Sequence, residues 1–429
     1  MSNILPKNLK EFKTHLKDPL FKNSYFILLT SGSVAIFGFL FWIIAARYYT
    51  PHDVGLATAI LSMSQLIGVL SLLGLNHSLI RFYAKRDDRN EMINSSLSIV
   101  GLIAIIFTVI FLIGLQLWSP TLSIIRENFL LLVSFIVLTV INSIFSLQGY
   151  IFIAARSAKF SFFQNIIYNI LRIPFPILFV TFGILGIISS WTLATLIAFF
   201  MGSLWFIPKV LYDYKRIPKI NKKILKELMP FSFGNYIAGI LGVLPIQIMP
   251  LLIVNILNVE NAAYFYIAWS ISTIFTMISI SVTTSLFAEG SQNQETFRLN
   301  IIKSIRFIFL LLIPATILLF VFGDKILLLF GQTYSDNATK LLWLLSIGNI
   351  PLAINQIYIA IKRVEIKIKP IIYVNLSAAV FVIGGSYILV NMIGLIGIGI
   401  VWIIGQGTIA FVIGLLILVK KKSPLPHHE

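Results

Sequence analysis

Apolar runs of about 20 residues, separated by short polar breaks, recur along the whole chain. Each run can cross roughly 30 Å of hydrocarbon as a helix, and none alternates apolar with polar residues as a membrane barrel strand would. The pattern predicts an all-α polytopic membrane protein with twelve spans, at 24–46, 54–75, 94–117, 127–155, 161–181, 184–207, 230–255, 262–287, 303–321, 338–360, 370–391 and 395–419. Ahead of them, residues 1–22 put Leu9, Phe12 and Leu16 on one helical face and Lys10, Lys13 and Lys17 elsewhere. This reads as a basic interfacial helix. It is too long and basic for a cleaved signal peptide, and no small-residue cleavage site follows the first span.

The longest polar connection, 208–229, follows span six and divides the spans equally. The expected organisation is a lead-in (1–22), an N-terminal six-helix lobe (23–207), a basic linker (208–229), a C-terminal six-helix lobe (230–419) and a tail (420–429). The halves are weakly alike. An offset of 208 brings Tyr150 onto Tyr358, and an offset of 211 brings Gly183, Gly186 and Trp191 onto Gly394, Gly397 and Trp402. The hairpin TPHDVGLA lies opposite NVENAAYF, and a basic amphipathic segment precedes each half. Six spans is an even number, so two such halves share one orientation. A duplication of this kind expects pseudo-symmetry about an axis along the membrane normal, with a translocation path between the halves.

Composition agrees with this class and then narrows it. The chain is 58% hydrophobic and 11% charged, with mean hydropathy +0.93, which no soluble domain of 429 residues can bury. A net charge of +17 would suggest nucleic acid in a soluble protein. Here topology accounts for it. With the N-terminus in the cytoplasm, 28 of the 33 Lys and Arg residues fall on the cytoplasmic side and four (Arg47, Arg126, Lys325, Lys340) on the other, with Arg172 inside a span. That asymmetry puts both termini in the cytoplasm of a cell-membrane protein.

Several chemistries drop out. There is no cysteine, so disulfides, thiolate metal sites and cysteine nucleophiles are absent. His15, His52, His77, His427 and His428 lack ligand spacing, and no Gly-rich phosphate loop leads into a Lys and a Ser or Thr. No metal or cofactor is expected. The outer loops are short and their acids (Asp53, Glu127, Glu260, Asp324, Asp336) scattered, which argues against a membrane glycosyltransferase, polymerase or ligase.

Arg172 is the sharpest candidate. It lies about a dozen residues from either end of span five, too deep for easy snorkelling, and no Asp or Glu lies deep in any span to pair with it. A charge at that depth costs at least ~2.5–3.5 kcal/mol. Two readings stand side by side: a cavity-facing arginine that meets a phosphate, or a structural one that satisfies carbonyls freed by Pro174 and Pro176 and neighbouring polar groups. Arg47 ends span one on the outer side, as a site residue or as an interfacial anchor beside Tyr48 and Tyr49. Arg81 ends span two on the inner side, where a topology charge is also expected. Among the amides within spans, most of which serve as interhelical glue, Gln65 and Gln247 are retained. Gln247 stands between Pro245 and Pro250, where a broken helix lining a cavity is expected.

The stretch from Phe39 to Phe82 also carries a resemblance. A span ending in AAR, the turn TPHDVG and a span closing on GLNHSLIRF resemble the opening of polysaccharide and lipid-linked oligosaccharide flippases of the multidrug/oligosaccharidyl-lipid/polysaccharide superfamily. The segment LLLFGQTYSDNATKLLWLLSIGNIP is similar too. The resemblance implies a MATE/flippase-like fold of twelve to fourteen helices in two lobes that open alternately to either face; this chain has material for twelve. It implies a cationic cavity lined by spans one, two, seven and eight that accepts a polyprenyl-(pyro)phosphate-linked sugar, with Arg47, Gln65, Gln247 and Arg172 facing it. Spans one, two, seven and eight carry no central arginine here, which shifts headgroup capture onto Arg172. Membrane lipids and a glycan polymerase or glycosyltransferases of the same pathway are the implied partners. The rival readings are a cation-coupled drug exporter, which needs a buried acid in the N-terminal half, and a membrane enzyme of polysaccharide assembly.

Overall fold

The computed structural model describes residues 19–212, 214–290 and 297–422. Most of the lead-in, with Leu9, Phe12 and Leu16, and the end of the tail lie outside the described residues. Among those residues the regular structure is helix, with no strand. The main elements are α1 (Pro19–Tyr48), α2 (Pro51–Ser71), α3 (Leu75–Phe82), α4 (Arg89–Ile113), α5 (Phe129–Ala154), α6 (Ala158–Arg172), α7 (Pro174–Leu178) and α8 (Ile184–Met201). After the basic connection come α9 (Lys222–Ile256), α10 (Val259–Gly290), α11 (Phe297–Leu328), α12 (Gln332–Val364), α13 (Ile368–Ile393) and α14 (Leu395–Lys422).

Among the described residues, eleven helices are long and apolar enough to span a membrane. The twelfth expected span, 161–181, is present in two pieces. It breaks after Arg172, resumes as α7 and ends in a tight turn over Val180–Phe182. Pro174 and Pro176 lack the N–H groups that would carry a helical ladder through, and the Ile173 N–H closes the α6 end on the Ile170 carbonyl at 3.2 Å. Span seven is the reverse case. The break expected around Gln247 is not there, and α9 runs unbroken through Pro245 and Pro250.

The chain folds as two compact units, up to Tyr236 and from Ile237 onward. In the first, α2 is the central helix. Its apolar window is 78% buried, against 11% for α1 and 28% for α4. The cause is its small residues: Gly55, Ala57, Ala59, Ser62 and Ser64 let neighbouring helices come close. Its hydroxyls fold back onto its own backbone, as Thr58 does to the Gly55 carbonyl at 2.8 Å. In the second unit α12 is the most buried span, at 50%.

The family-like GLNHS stretch has a structural task. Gly74 adopts φ +72°, and a Cβ there would lie 2.6 Å from the Ser232 carbonyl oxygen. Ser78 donates to the Leu228 carbonyl at 2.9 Å and pairs with the Ser232 hydroxyl at 2.6 Å. These contacts seat α3 on the first turns of α9. The basic connection is fastened along the same unit: Asn221 donates its amide N–H to Ser95 at 3.0 Å, and Arg86 pairs with Glu227 at 2.7 Å. Arg86 also bonds Asp88 at 2.6 Å and holds that carboxyl below the usual aspartate range.

The internal repeat is visible in backbone geometry at three places. Thr50 caps α2 by accepting from the Asp53 N–H at 3.1 Å, and Asn258 caps α10 by accepting from the Asn261 N–H at 2.9 Å, an offset of 208. Arg156 and Ile366, offset by 210, both sit at positive φ (53° and 57°) between helices. The N–H of the following residue reaches back five positions in each, Ser157 to Phe152 at 2.8 Å and Lys367 to Lys362 at 2.9 Å. Gly183 (φ 55°, ψ −134°) and Gly394 (φ 67°, ψ −150°), offset by 211, open α8 and precede α14 in the same glycine-only conformation.

These turns lead to opposite outcomes for two substitutions. Ile366 is 86% exposed and strained at φ 57°, so Ile366→Gly raises stability by about 1 kcal/mol. Gly394→Ala lowers it by ~1–3 kcal/mol, since only glycine occupies that backbone region comfortably. Thermal unfolding of the purified protein in detergent reads both; a fall for Ile366→Gly would contradict the assignment of strain.

Candidate functional site

Arg172 closes α6 and is 4% exposed; among the described residues it is the one charged side chain that is buried. Its local partners come from helical spacing, because Tyr168 and Asn169 lie four and three residues back on the same face. Nη1 donates to the Tyr168 hydroxyl at 2.9 Å and Nη2 to Asn169 Oδ1 at 3.2 Å. No carboxylate answers the charge. The guanidinium lies instead over three rings, with Cζ 4.6 Å from the Trp191 centroid, 4.8 Å from Tyr168 and 5.0 Å from Phe41. Phe41 comes from α1 and Trp191 from α8, and Trp191 meets the rings of Phe41 and Tyr168 edge-on.

Desolvated cation–π contacts contribute ~2 kcal/mol or more each, so the rings supply much of what water or a carboxylate otherwise would. On α1 Gly38 lies beside the guanidinium, where a Cβ would stand 3.7 Å from Nη2, in ordinary van der Waals contact. The Ile170 carbonyl, expected as an acceptor for the arginine, is bonded to the Ile173 N–H. One donor of the guanidinium, Nε–H, has no hydrogen-bond partner.

The other expected site residues fall elsewhere. Arg47 is exposed in the last turn of α1, and Arg81 is exposed in the last turn of α3, 5.5 Å over the Phe82 ring. Gln65 is half-buried on α2, and Gln247 is half-buried on α9 in the second unit. The TPHD turn beside Arg47 is a clamp. Asp53 accepts from the Thr50 hydroxyl at 2.7 Å and from the Ile184 N–H at 3.2 Å, so one carboxylate serves the starts of α2 and α8. Tyr49 donates to the Pro176 carbonyl at 2.7 Å. Glue is the role of Gln148 and Gln164, which bond each other at 2.6 Å.

The second unit encloses a cavity of about 350 Å³ between α9, α10, α12, α13 and α14. Its polar wall is made by Asn355, Gln356, Asn375 and Gln406, its aromatic wall by Trp269 and Trp402. Asn355 donates to Gln406 Oε1 at 2.8 Å, and Asn375 to the Ala238 carbonyl at 2.9 Å. Arg363 belongs to the lining, is exposed, and makes no ion pair or hydrogen bond among the described residues. Pro245 and Pro250 offer no N–H to the carbonyls of Leu241 and Ile246, and both of those residues are on the wall. The two prolines that flank Gln247 thus mark this cavity although the helix does not break. Asn355, Gln356 and Asn375 are among the span amides for which interhelical glue is the general expectation, and Gln406, Trp269 and Arg363 carry no sequence signal of their own.

A family model described as "Polysaccharide biosynthesis protein" matches residues 20–288. No curated protein sequence matches the chain significantly. Among solved structures, an inward-facing multidrug resistance MATE family transporter of the MOP superfamily is 16% identical, with 91% of this chain and 96% of that one covered and a TM-score of 0.72. The lipid II flippase MurJ in an inward closed conformation is 17% identical over 91% of this chain and 87% of that one, with a TM-score of 0.70. A MOP superfamily transporter from Pyrococcus furiosus, whose binding pocket is described as of reversed polarity, is 17% identical over 95% and 97%, with a TM-score of 0.62. The fold is therefore that of the MOP transporters, as the two-lobe, roughly twelve-helix expectation has it.

The ring cage makes its own prediction. Trp191→Leu keeps an apolar group but removes the nearest π face, and lowers stability by about 2 kcal/mol, whereas Trp191→Phe retains most of it. Thermal unfolding of the two variants distinguishes them; equal midpoints would mean that the guanidinium draws little from the ring.

Proposed function

The chain belongs to the polysaccharide biosynthesis protein family, and on that basis we propose that it is a flippase that moves a polyprenyl-(pyro)phosphate-linked oligosaccharide from the cytoplasmic to the outer leaflet for cell-surface glycan assembly. The task is set by solvation. A headgroup of sugars and phosphate loses several kcal/mol per polar group stripped of water, so a polar path must replace that water while the lipid tail stays in the bilayer. Alternating access of two lobes provides such a path.

The observation that carries this reading is the sign of the buried charge. Arg172 is cationic, lacks a carboxylate and keeps one unbonded N–H. A site with that field attracts phosphate and repels cations. A cation-coupled drug exporter, the competing reading within the same fold, calls for a buried Asp or Glu. Among the described residues none is buried. In this reading the positive-inside distribution orients both termini to the cytoplasm. In this reading the protein is a transporter rather than an enzyme, and takes its substrate from glycosyltransferases and delivers it to a polymerase or ligase.

The test is headgroup transfer in proteoliposomes. A lipid-linked oligosaccharide is loaded in one leaflet and its exposure to an impermeant reagent followed in the other. Wild type transfers; Arg172→Ala slows transfer by about tenfold or more, as expected for a lost charge-assisted bond, and Arg172→Lys retains part. If wild type moved none of several polyprenyl carriers but extruded a cationic dye, the flippase reading would fall.

A further inference from the structure

We propose that the cavity of the second unit is a binding site for the uncharged sugar end of an anionic glycolipid, a mono- or disaccharide, with Arg363 facing the phosphate. The proposal rests on the flippase reading and adds a second site, remote in sequence from Arg172.

The first argument is unmet hydrogen bonding. Asn355 Oδ1, Ser279 Oγ and Trp402 Nε1 have no partner, although their residues are 1%, 3% and 6% exposed and all three line the cavity. Buried polar atoms without partners are costly, and three on residues that line one cavity favour a ligand that, after a small side-chain adjustment, donates and accepts at once. A sugar hydroxyl does both. The lining adds the Gln356 amide and two indoles, against which the C–H face of a pyranose can lie.

The second argument is exclusion. No carboxylate lines the cavity, so an organic cation finds no counter-charge, and the exposed Arg363 repels it. An apolar drug leaves the three polar atoms unsatisfied. The volume of about 350 Å³ is within the roughly 300–1,000 Å³ of small-ligand sites and suits a short glycan.

The third argument is the repeat. The cage of the first unit is built from Phe41, Tyr168, Arg172 and Trp191, with Gly38 beside it. At the offsets fixed by the three matched turns, Gly38, Tyr168, Arg172 and Trp191 correspond to Ile246, Ala378, Val382 and Trp402, which line the cavity, while Phe41 corresponds to Met249, which does not. Where the first unit fills the space with its own phenol and guanidinium, the second has an alanine and a valine. The space is therefore left by two truncated side chains while the tryptophan is kept, which is the arrangement of a vacated socket.

The chain has no cysteine, so a single Gln356→Cys or Thr276→Cys substitution gives a clean label site. Polyprenyl pyrophosphates carrying neutral disaccharides are first screened for transfer by wild type. A transported one should slow maleimide labelling at both positions by about tenfold at saturation, while the same polyprenyl pyrophosphate without sugar leaves it unchanged. Ser279→Ala removes an unpartnered oxygen, so the thermal midpoint does not fall, yet KM for transfer of that glycolipid rises up to about tenfold, the worth of one hydrogen bond. Labelling that is unaffected by a transported glycolipid, or slowed equally by the sugar-free carrier, would overturn the sugar site and leave the flippase standing. Absence of any glycolipid transfer would remove the flippase reading and this proposal with it.

Discussion

A peptide group in hydrocarbon has no water to bond, and an unpaired one costs several kcal/mol. Where the described chain leaves one long helix for the next, a replacement partner stands ready at each of the following turns. Thr50 and Asn258 turn the chain and cap the next helix with their side chains. Asp53 serves two helix starts at once. The α6 end closes on itself through Ile173 before the prolines of α7. The same rule explains why α9 can carry two prolines without breaking: the rest of its ladder holds, and the carbonyls that lose their N–H belong to residues on a polar void rather than on lipid.

The two units answer one architectural problem differently. Both keep the turn before the sixth span, its glycine and the tryptophan two turns later. In the first, that tryptophan lies over a buried guanidinium. In the second, it stands beside unpartnered amide and hydroxyl groups and the interior is open. A duplicated scaffold has thus separated a fixed charge from an adaptable polar pocket. The proposed headgroup of phosphate and sugar would call on both.

Much of this is legible in the sequence, for reasons that differ by feature. Spans and the internal repeat rest on local hydropathy and on glycines whose backbone geometry tolerates no other residue, so Gly183 and Gly394 pair by spacing alone. Arg172 stands out because charge is rare at depth, and its Tyr168 and Asn169 partners follow from helical spacing. The rings of Phe41 and Trp191 do not stand out. In a chain with 35 Phe and 7 Trp an aromatic carries no signal by itself, and these two come from distant helices. The cavity is the hardest feature to see, because it arises from side chains that are small, Ala378 and Val382. Only Pro245 and Pro250 hint at it, and a proline pair within a span suggests a helix break rather than a void.

The central position of α2 bears on how the protein is made. Among the unbroken long spans of the first unit it is the least hydrophobic, with mean hydropathy 1.7 against 2.0 to 2.9 for the others, because its small and hydroxyl-bearing residues are what allow α5, α4 and α8 to close around it. Those helices are all synthesised later. Only two residues, Tyr49 and Thr50, separate α2 from α1, so the pair enters the bilayer as a single hairpin. The segment on which the lobe is assembled is thus, of the unbroken spans, the one that lipid alone holds least strongly, and its cover is complete only once the later helices have left the ribosome.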